Sequence, residues 1–317
     1  MSEFRINVVR IGEIVPHMNA DRLEITRVFD YPVIIAKGEF RSGDLAVYIP
    51  VDSVVPENDT RWAFLGDHRR IKARKLRGVF SMGLLTKADP AWQEGQDVRE
   101  ILQITKYEPI ETFSTGGENE ACPFEFPVYT DIEGFRRWLN LLVEGEHVSI
   151  SEKIHGANGR FLYKDGRLWI GSHKQVKRRD PNNLWWKMAL HYDLENKLKN
   201  YPDIVFFGEV FGCVQDLKYG HSNGKTSLAF FDAMYLNNRQ YLSMDEFKTL
   251  ADLLGLILVP SLYEGSWSKE LLGLAEGKSL FGDHVREGIV IRPVQERWDE
   301  KIGRVILKYL GEGYLLR

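Results

Sequence analysis

Residues 151–161 read SEKIHGANGRF. The alternating run HVSIS (147–151) leads into Lys153, and His155, Gly156, Asn158 and Gly159 follow, so a strand is expected to end in a sharp turn just beyond an amine. A K-x-x-G match alone carries little weight, since average composition produces one about every couple of hundred residues. A surface lysine before a turn would read the same way. The order of the later segments lifts Lys153 above that background. FGEVFG (207–212) sets Glu209 between two glycines, and SLAFFDAM (227–234) sets Phe231 beside Asp232. REGIVIRP (286–293) sets Glu287 at a strand start with Arg292 five positions on, and RVILKYL (304–310) carries Lys308.

Around these segments the chain divides in composition. Residues 1–106 hold short β-rich runs, RINVVRIGEIV, LEITRVF, PVIIAKGEF, LAVYIPVDSVV, GVFSMGLL and DVREILQI, separated by polar turns, which suggests a small barrel or sandwich. Residues 107–130 lack periodicity and read as a linker. Residues 131–317 mix strands with helices. A helix is expected over DIEGFRRWLNLLVEG (131–145) behind an Asp131 cap, and others over 182–199, 243–254 and around 268–275. Asp165-Gly166 marks a hairpin between GRFLYK and RLWIGS. The fold class expected is α+β: an amino-terminal OB-like β-barrel followed by an α/β nucleotidyltransferase domain with antiparallel sheets, an ATP-grasp-like ligase core.

With 317 residues, 44% of them hydrophobic, and a net charge of 42 − 45 = −3, the chain reads as a soluble globular protein of about two domains. No run reaches the roughly 18 apolar residues of a membrane helix, and the start MSEFRINVVR lacks an apolar core, so a mature, cytoplasmic protein is expected. Two cysteines, Cys122 and Cys213, give no disulfide framework or zinc site. The charge is uneven: Arg69, Arg70, Lys72, Arg74, Lys75 and Arg77 put six basic residues in nine, and Lys174, Lys177, Arg178 and Arg179 form a second cluster. Both are expected to track RNA phosphates. Trp185 and Trp186 read as helix core, and Cys213 as a small core residue without a base partner.

The set of motifs resembles the covalent nucleotidyltransferases, and the EKIHG form is similar to RNA ligases of the Deinococcus and Naegleria type. PHMNADRLEI (16–25) and RGVFSMGLL (77–85) resemble OB-fold domains that bind tRNA. The resemblance implies an ATP-dependent RNA ligase in which Lys153 takes AMP from ATP, passes it to an RNA 5′-phosphate, and a 3′-hydroxyl then displaces it. Lys153, Arg292 and Lys308 are the implied catalytic residues. Glu152, Ile154, His155, Gly156, Asn158, Arg160, Ser172, Glu209 and Phe231 are implied at the nucleotide, with Glu209 on the ribose and Phe231 on adenine. Glu287 and Asp232 are implied at Mg²⁺ or Mn²⁺. The implied partner is RNA with 5′-phosphate and 3′-hydroxyl ends, nicked or duplex, and the protein is expected to be monomeric with no membrane.

Attack by Lys153 requires a neutral amine, and at an ordinary pKa near 10.4 only about one lysine in 2,500 is neutral at pH 7, a handicap of roughly 4.6 kcal/mol. Neighbouring cations would relieve it, and Arg160, Lys174, Arg292 and Lys308 are the candidates. Two segments depart from the family pattern: GSHKQVKRR follows Ser172 with His173 and Lys174 where relatives have Ser-Arg, and Ile306 stands where a second lysine often accompanies Lys308. Alternation would then put Arg304 on the Lys308 side. A capping-type guanylyltransferase or DNA ligase is the alternative enzyme, disfavoured because only nine residues follow Lys308. An inactive tRNA- or RNA-binding module is the non-enzymatic alternative.

Overall fold

A computed structural model describes residues 4–107 and 118–317. The chain forms two compact units, one of Met1–Ile110, Gly134–Leu139 and Leu315–Arg317, the other of Glu111–Glu133 and Asn140–Tyr314. Of the stretch expected as a linker, residues 108–117 lie outside the described residues.

In the amino-terminal unit, two three-stranded antiparallel sheets carry the core. One orders Asn7–Arg10, Leu45–Ile49 and Leu84–Lys87, with Leu45–Ile49 central; the other orders Ile14–Pro16, Leu23–Val28 and Tyr31–Ala36. Both faces of Leu45–Ile49 are buried: Ala46 and Tyr48 pack with Val28, Val33 and Ile35, while Val47 and Ile49 pack with Ile6, Val8 and Trp62. That double burial explains why this strand is apolar throughout rather than alternating. Among the described residues the strand pairings do not close into a continuous barrel. DVREILQI, expected as a strand, forms turns instead, with Asp97 capping the backbone N–H groups of Ile6 and Arg99.

The second unit sets a four-stranded antiparallel sheet beside a five-stranded one. The first runs Arg167–Ser172, Ala157–Lys164, Ile204–Gly212, Thr226–Tyr235. The second runs Glu133–Gly134, Leu307–Leu310, Gly288–Pro293, His147–Lys153, Ser261–Ser266. Period-two alternation sorts the first sheet's side chains between two cores. Phe161, Ile170, Phe206 and Ala233 face Trp185, Trp186, Phe247 and Ala251 of the helices, whereas Leu162, Trp169, Phe207 and Met234 face Phe126, Tyr129 and Ile306, with Val290 of the other sheet alongside. Each fully buried phenylalanine contributes about 1.5–3 kcal/mol to holding these layers together.

The helices only partly follow the expected spans. Met244–Leu254 forms behind a Ser243/Glu246 capping box and ends at Gly255 with φ 57°. The expected 182–199 helix is two pieces, Leu184–His191 and Leu194–Leu198, because Asp193 between them takes φ 52°. Lys269–Ala275 is a 3₁₀ segment. The helix expected behind Asp131 is absent: only Phe135–Arg137 makes a 3₁₀ turn, and Gly134 before it belongs to a short strand. Phe135 and Leu142 are buried without a helix to carry them.

Candidate active site

Lys153 ends the strand His147–Lys153, whose alternation buries Val148, Ile150 and Glu152 on one face and turns Ser149, Ser151 and Lys153 to the other. A cavity of about 400 Å³ opens on that second face, lined by Ser149, Ser151, Lys153, Asn158, Glu209, Phe231, Val290 and Arg292. Opposed residues in an antiparallel pair share a face, so the register fixes the neighbours. Ser149 opposes Arg292, Ser151 opposes Val290, and Val290 in turn opposes Lys308. Lys308 therefore stands on the cavity face of the sheet, in the row of Val290 and Ser151.

A bulge supplies the aromatic wall. Phe207 pairs with Asp232 and Gly208 with Phe230, so Phe231 is the extra residue. The slip lets Phe231 and Asp232 both project to the side of Tyr129, while Phe230 and Ala233 keep to the helix-facing core. Phe231 is half-buried in the cavity, its ring 4.8 Å from that of Tyr129.

The turn after Lys153 brings two chains too close for any side chain. A Cβ on Gly156 would lie 2.1 Å from the Val210 carbonyl oxygen. Gly156→Ala must push the turn off the Glu209 strand, and we expect a stability loss of about 2–4 kcal/mol together with loss of nucleotide affinity, read by chemical denaturation and ATP titration. His155 donates its backbone N–H to the Tyr219 hydroxyl at 2.6 Å. Its ring sits 2.8 Å from Asp216 Oδ1 and 3.6 Å from Glu287 Oε2.

Electrostatics at Lys153 run opposite to the expectation that cations lower its pKa. Its Nζ is 2.8 Å from Glu287 Oε1. Burial is the largest influence and lowers the amine, but Glu287 and Glu209 together outweigh it and hold Lys153 above the ordinary lysine value. None of the four candidate cations does the expected work. Arg160 is buried and donates to the carbonyls of Ser172, Phe126 and Pro127; Lys174 is exposed; Arg292 is engaged by Asp232; Lys308 lies one strand beyond Arg292's own. His155 is likewise raised, Glu287 overcoming the lowering effect of burial. Glu287 is lowered: burial pushes it up, and Lys153 and His155 more than reverse that.

Glu209 has the largest upward shift of a carboxylate at the site. Burial, reinforced by Glu287 and opposed by Lys153, raises it from 4.5 to about 7. Since the folded protein then holds this proton more tightly than the unfolded chain, stability declines as pH rises from about 4.5 to about 7, by up to about 3 kcal/mol. Glu209→Gln keeps the shape without the charge. It should gain most of that difference over wild type at pH 8 and almost none at pH 4, as read by denaturant midpoints; an equal gain at both pH values would contradict the shift.

Other expected site residues are placed as follows. Glu152 is buried, with Oε2 accepting from the Leu280 N–H at 2.8 Å and Oε1 accepting no hydrogen bond among the described residues. Ile154 and Asn158 line the cavity, and Asn158 Oδ1 is likewise buried without a donor. Ser172 closes a turn with Gln175. Asp232 cannot serve a metal as expected. It is wholly buried, Oδ2 accepting from Tyr129, Arg292 and Arg304 at 2.7–2.8 Å and Oδ1 from the Ala233 N–H. Arg304 is not on a common strand with Lys308, because Gly303–Arg304 pairs instead with Trp298–Asp299. Its guanidinium is buried on Asp232 and Glu296 and lies 3.5 Å from the Tyr241 ring centroid.

The basic clusters also split. Lys72, Arg74, Lys75 and Arg77 are exposed on and beside the hairpin Arg74–Leu76/Val79–Ser81. Arg70 is instead paired with Asp52 at 2.6 Å and stacked 3.6 Å from the Tyr107 ring centroid, and Arg69 reaches the Trp62 carbonyl at 3.4 Å. In the other cluster Lys174 and Arg178 are exposed, whereas Lys177 is buried with Nζ on Asn119 Oδ1 at 2.9 Å and Arg179 pairs with Glu195. Ser149, Ser151, Tyr129 and the cavity-facing side of helix Met244–Leu254, with Met244, Phe247 and Lys248, were not singled out in the sequence. The two serines were findable, at the second and fourth positions before Lys153 on one strand face; the helix was not, since only the tertiary fold brings it to the cavity.

Comparison with known proteins gives the family. Residues 146–310 match the family described as RNA ligase, and residues 5–88 match one described as an OB-fold domain. Among solved structures, the chain is similar to a lysine-to-alanine variant of Naegleria gruberi RNA ligase with ATP and Mn, at 26% identity over 98% of both chains with a TM-score of 0.84. It is similar at 26% identity to the same ligase with PPi (TM-score 0.83) and to a glutamate-to-alanine variant with AMP and Mn (TM-score 0.84), covering 98% of this chain and 97% of each. Among curated proteins, it is 35% identical over 86 residues to the phenylalanine–tRNA ligase beta subunit of Ehrlichia ruminantium, 26% of this chain. That match spans only 10% of the length of the beta subunit.

Proposed function

Because the chain belongs to the RNA ligase family, we propose that it seals RNA ends in an ATP-dependent reaction, with Lys153 as the nucleophile. The observation that carries this reading is Lys153 on the cavity wall beside two carboxylates, Glu287 and Glu209, opposite an aromatic wall at Phe231. In the first step the Lys153 amine attacks the α-phosphorus of ATP; an N–P bond forms, the α–β P–O bond breaks, pyrophosphate leaves and the amine loses a proton. The adenylyl group then moves to an RNA 5′-phosphate, regenerating the amine, and a 3′-hydroxyl displaces AMP to close the phosphodiester.

Each residue follows from its setting. Phe231 offers a face to adenine, Glu209 accepts from ribose hydroxyls, and Arg292 and Lys308 supply positive charge on the sheet face where the phosphates lie. A divalent cation fits at Glu287, a buried hard oxygen ligand whose Oε2 accepts no hydrogen bond among the described residues. No cluster of three or more acidic, histidine or cysteine groups surrounds it among those residues, which suits Mg²⁺ or Mn²⁺ completing its shell with water and phosphate oxygens. Such an ion would supply positive charge against the Glu287 carboxylate, the group that keeps the amine protonated.

The exposed cations at Lys72, Arg74, Lys75 and Arg77 suit RNA phosphates, as do Lys174 and Arg178. We place the OB-like unit as the RNA-holding domain, and the likeness of 86 residues to a tRNA ligase subunit favours a structured substrate such as a cleaved tRNA. Two free cysteines fit a cytoplasmic setting, and no described helix is long and apolar enough to cross a membrane. The test is incubation with α-labelled ATP or GTP and Mn²⁺, then with nicked duplex, single-stranded or cleaved tRNA substrates. Label retained from ATP and passed into sealed RNA is expected. Label from GTP alone would indicate capping chemistry, and no label with intact RNA binding would indicate a binding module.

A further inference from the structure

The PHMNADRLEI segment contributes nothing to the cavity, yet its His17 is 5% exposed and holds a defined tautomer. The Asn19 backbone N–H donates to His17 Nδ1 at 3.1 Å, so Nδ1 is the acceptor and Nε2 carries the proton. Nε2 in turn donates to the Leu76 carbonyl at 3.1 Å. The Asn19 side-chain amide donates to the next carbonyl, that of Arg77, also at 3.1 Å. Two residues of one loop thus hold two successive carbonyls of another hairpin, 58 and 59 positions away in sequence.

The held carbonyls belong to a turn that needs holding. Leu76 pairs with Val79, leaving Arg77 and Gly78 as a two-residue connection with φ 48° and 88°. That pattern favours Asn-Gly or Asp-Gly, and an arginine in the left-handed region costs about 1–2 kcal/mol. Asparagine in place of Arg77 would be easier for the backbone but would remove a cation from the tip. The strain therefore accompanies an exposed set of charges, Lys72, Arg74, Lys75 and Arg77.

We propose that His17 and Asn19 are positioning residues for RNA binding: by fixing the Leu76 and Arg77 carbonyls they lock the Arg77–Gly78 turn, so that the hairpin cations meet RNA phosphates as one pre-ordered set. The inference rests on the reading of that hairpin as an RNA surface, and the test separates the two. In the full chain, the variant K72A/R74A/K75A/R77A is compared with His17→Ala, Asn19→Ala and His17→Gln, the last retaining an N–H near the Nε2 position. RNA affinity is measured against salt concentration, with lysyl-AMP formation and thermal stability as parallel readouts.

The four-cation variant should flatten the log affinity against log salt slope by about 3 for single-stranded RNA. Asn19→Ala and His17→Ala should weaken RNA binding about 5-fold or more and lower the slope by about 1, with adduct formation unchanged and His17→Gln largely restored. If the four-cation variant binds RNA normally, the hairpin is not an RNA surface and both readings fall. If it binds weakly while Asn19→Ala and His17→Ala keep wild-type affinity and slope, only the positioning role is overturned. Loss of stability and adduct formation together, without change of slope, would also overturn it, since that is the behaviour of a purely structural contact.

Discussion

Lys153→Ala will form no covalent adduct with AMP, a loss of at least about four orders of magnitude in adenylylation, the scale that follows removal of a nucleophile nothing nearby can replace. Among the described residues, the other amines on the cavity side are poorly placed to replace it. Lys308 is two strands away in the sheet, and Lys248 at the cavity rim pairs with Glu264 at 2.7 Å. The alanine variant also leaves Glu287 without its ammonium partner, so Lys153→Arg is the better control: it keeps a cation beside Glu287 but cannot act as a nucleophile at neutral pH. Both variants should retain RNA binding, because the exposed hairpin cations lie in the other unit. Adduct formation is read by retention of α-labelled ATP on denaturing gels. Persisting label in Lys153→Arg would move the nucleophile elsewhere.

Asp232→Ala should cost about 3–5 kcal/mol of stability, a fall in Tm on the order of 10 °C, because it leaves the buried Arg292 guanidinium without a close carboxylate and Arg304 with Glu296 alone. Asp232 accepts from Arg292 and from Arg304 at 2.7 Å each, and among the described residues the one other carboxylate within 4 Å of either guanidinium is that of Glu296. Burial would raise Asp232, but the two arginines dominate and hold it below the usual carboxylate value. A lowered folded pKa means that this stabilisation is complete above the unfolded value of 3.8 and is lost as pH falls through the folded one. Acid should therefore reproduce the substitution. Removing Arg304 as well, in Asp232→Ala/Arg304→Met, should recover part of the loss by clearing one of two buried cations that would otherwise share Glu296. Calorimetry of the single and double variants checks this; additive losses would mean that the two groups are not coupled.

The same network shows where a linear reading of the chain fails. Alternation in HVSIS was sufficient to read a strand leading to Lys153, and EGIVIRP was legible as a strand carrying Arg292, but only the pairing in the fold puts the two residues on one sheet face. The hairpin at Asp165-Gly166 was equally legible, since both residues take positive φ. Asp232 was misread because a bulge at Phe231 reverses the alternation after it, and nothing in SLAFFDAM announces an extra residue. Arg304 was misread because RVILKYL breaks after Arg304, sending a residue that looked like a partner of Lys308 into a buried pair with Asp232. The amine's surroundings could not be read at all from spacing: Glu287 immediately precedes a strand of one sheet and Glu209 lies on a strand of the other, and the effect of Glu287 on Lys153 depends on a 2.8 Å approach that only the packed fold creates.

Peptide mapping by mass spectrometry, after incubation of the intact protein with ATP and Mn²⁺, tests the central claim most directly. The account predicts an increment of about 329 Da, one adenylyl group, on the peptide containing Lys153, and its disappearance when pyrophosphate or a 5′-phosphorylated RNA is added. An adenylylated peptide that does not contain Lys153, or RNA sealing by a protein that never carries the increment, would contradict it.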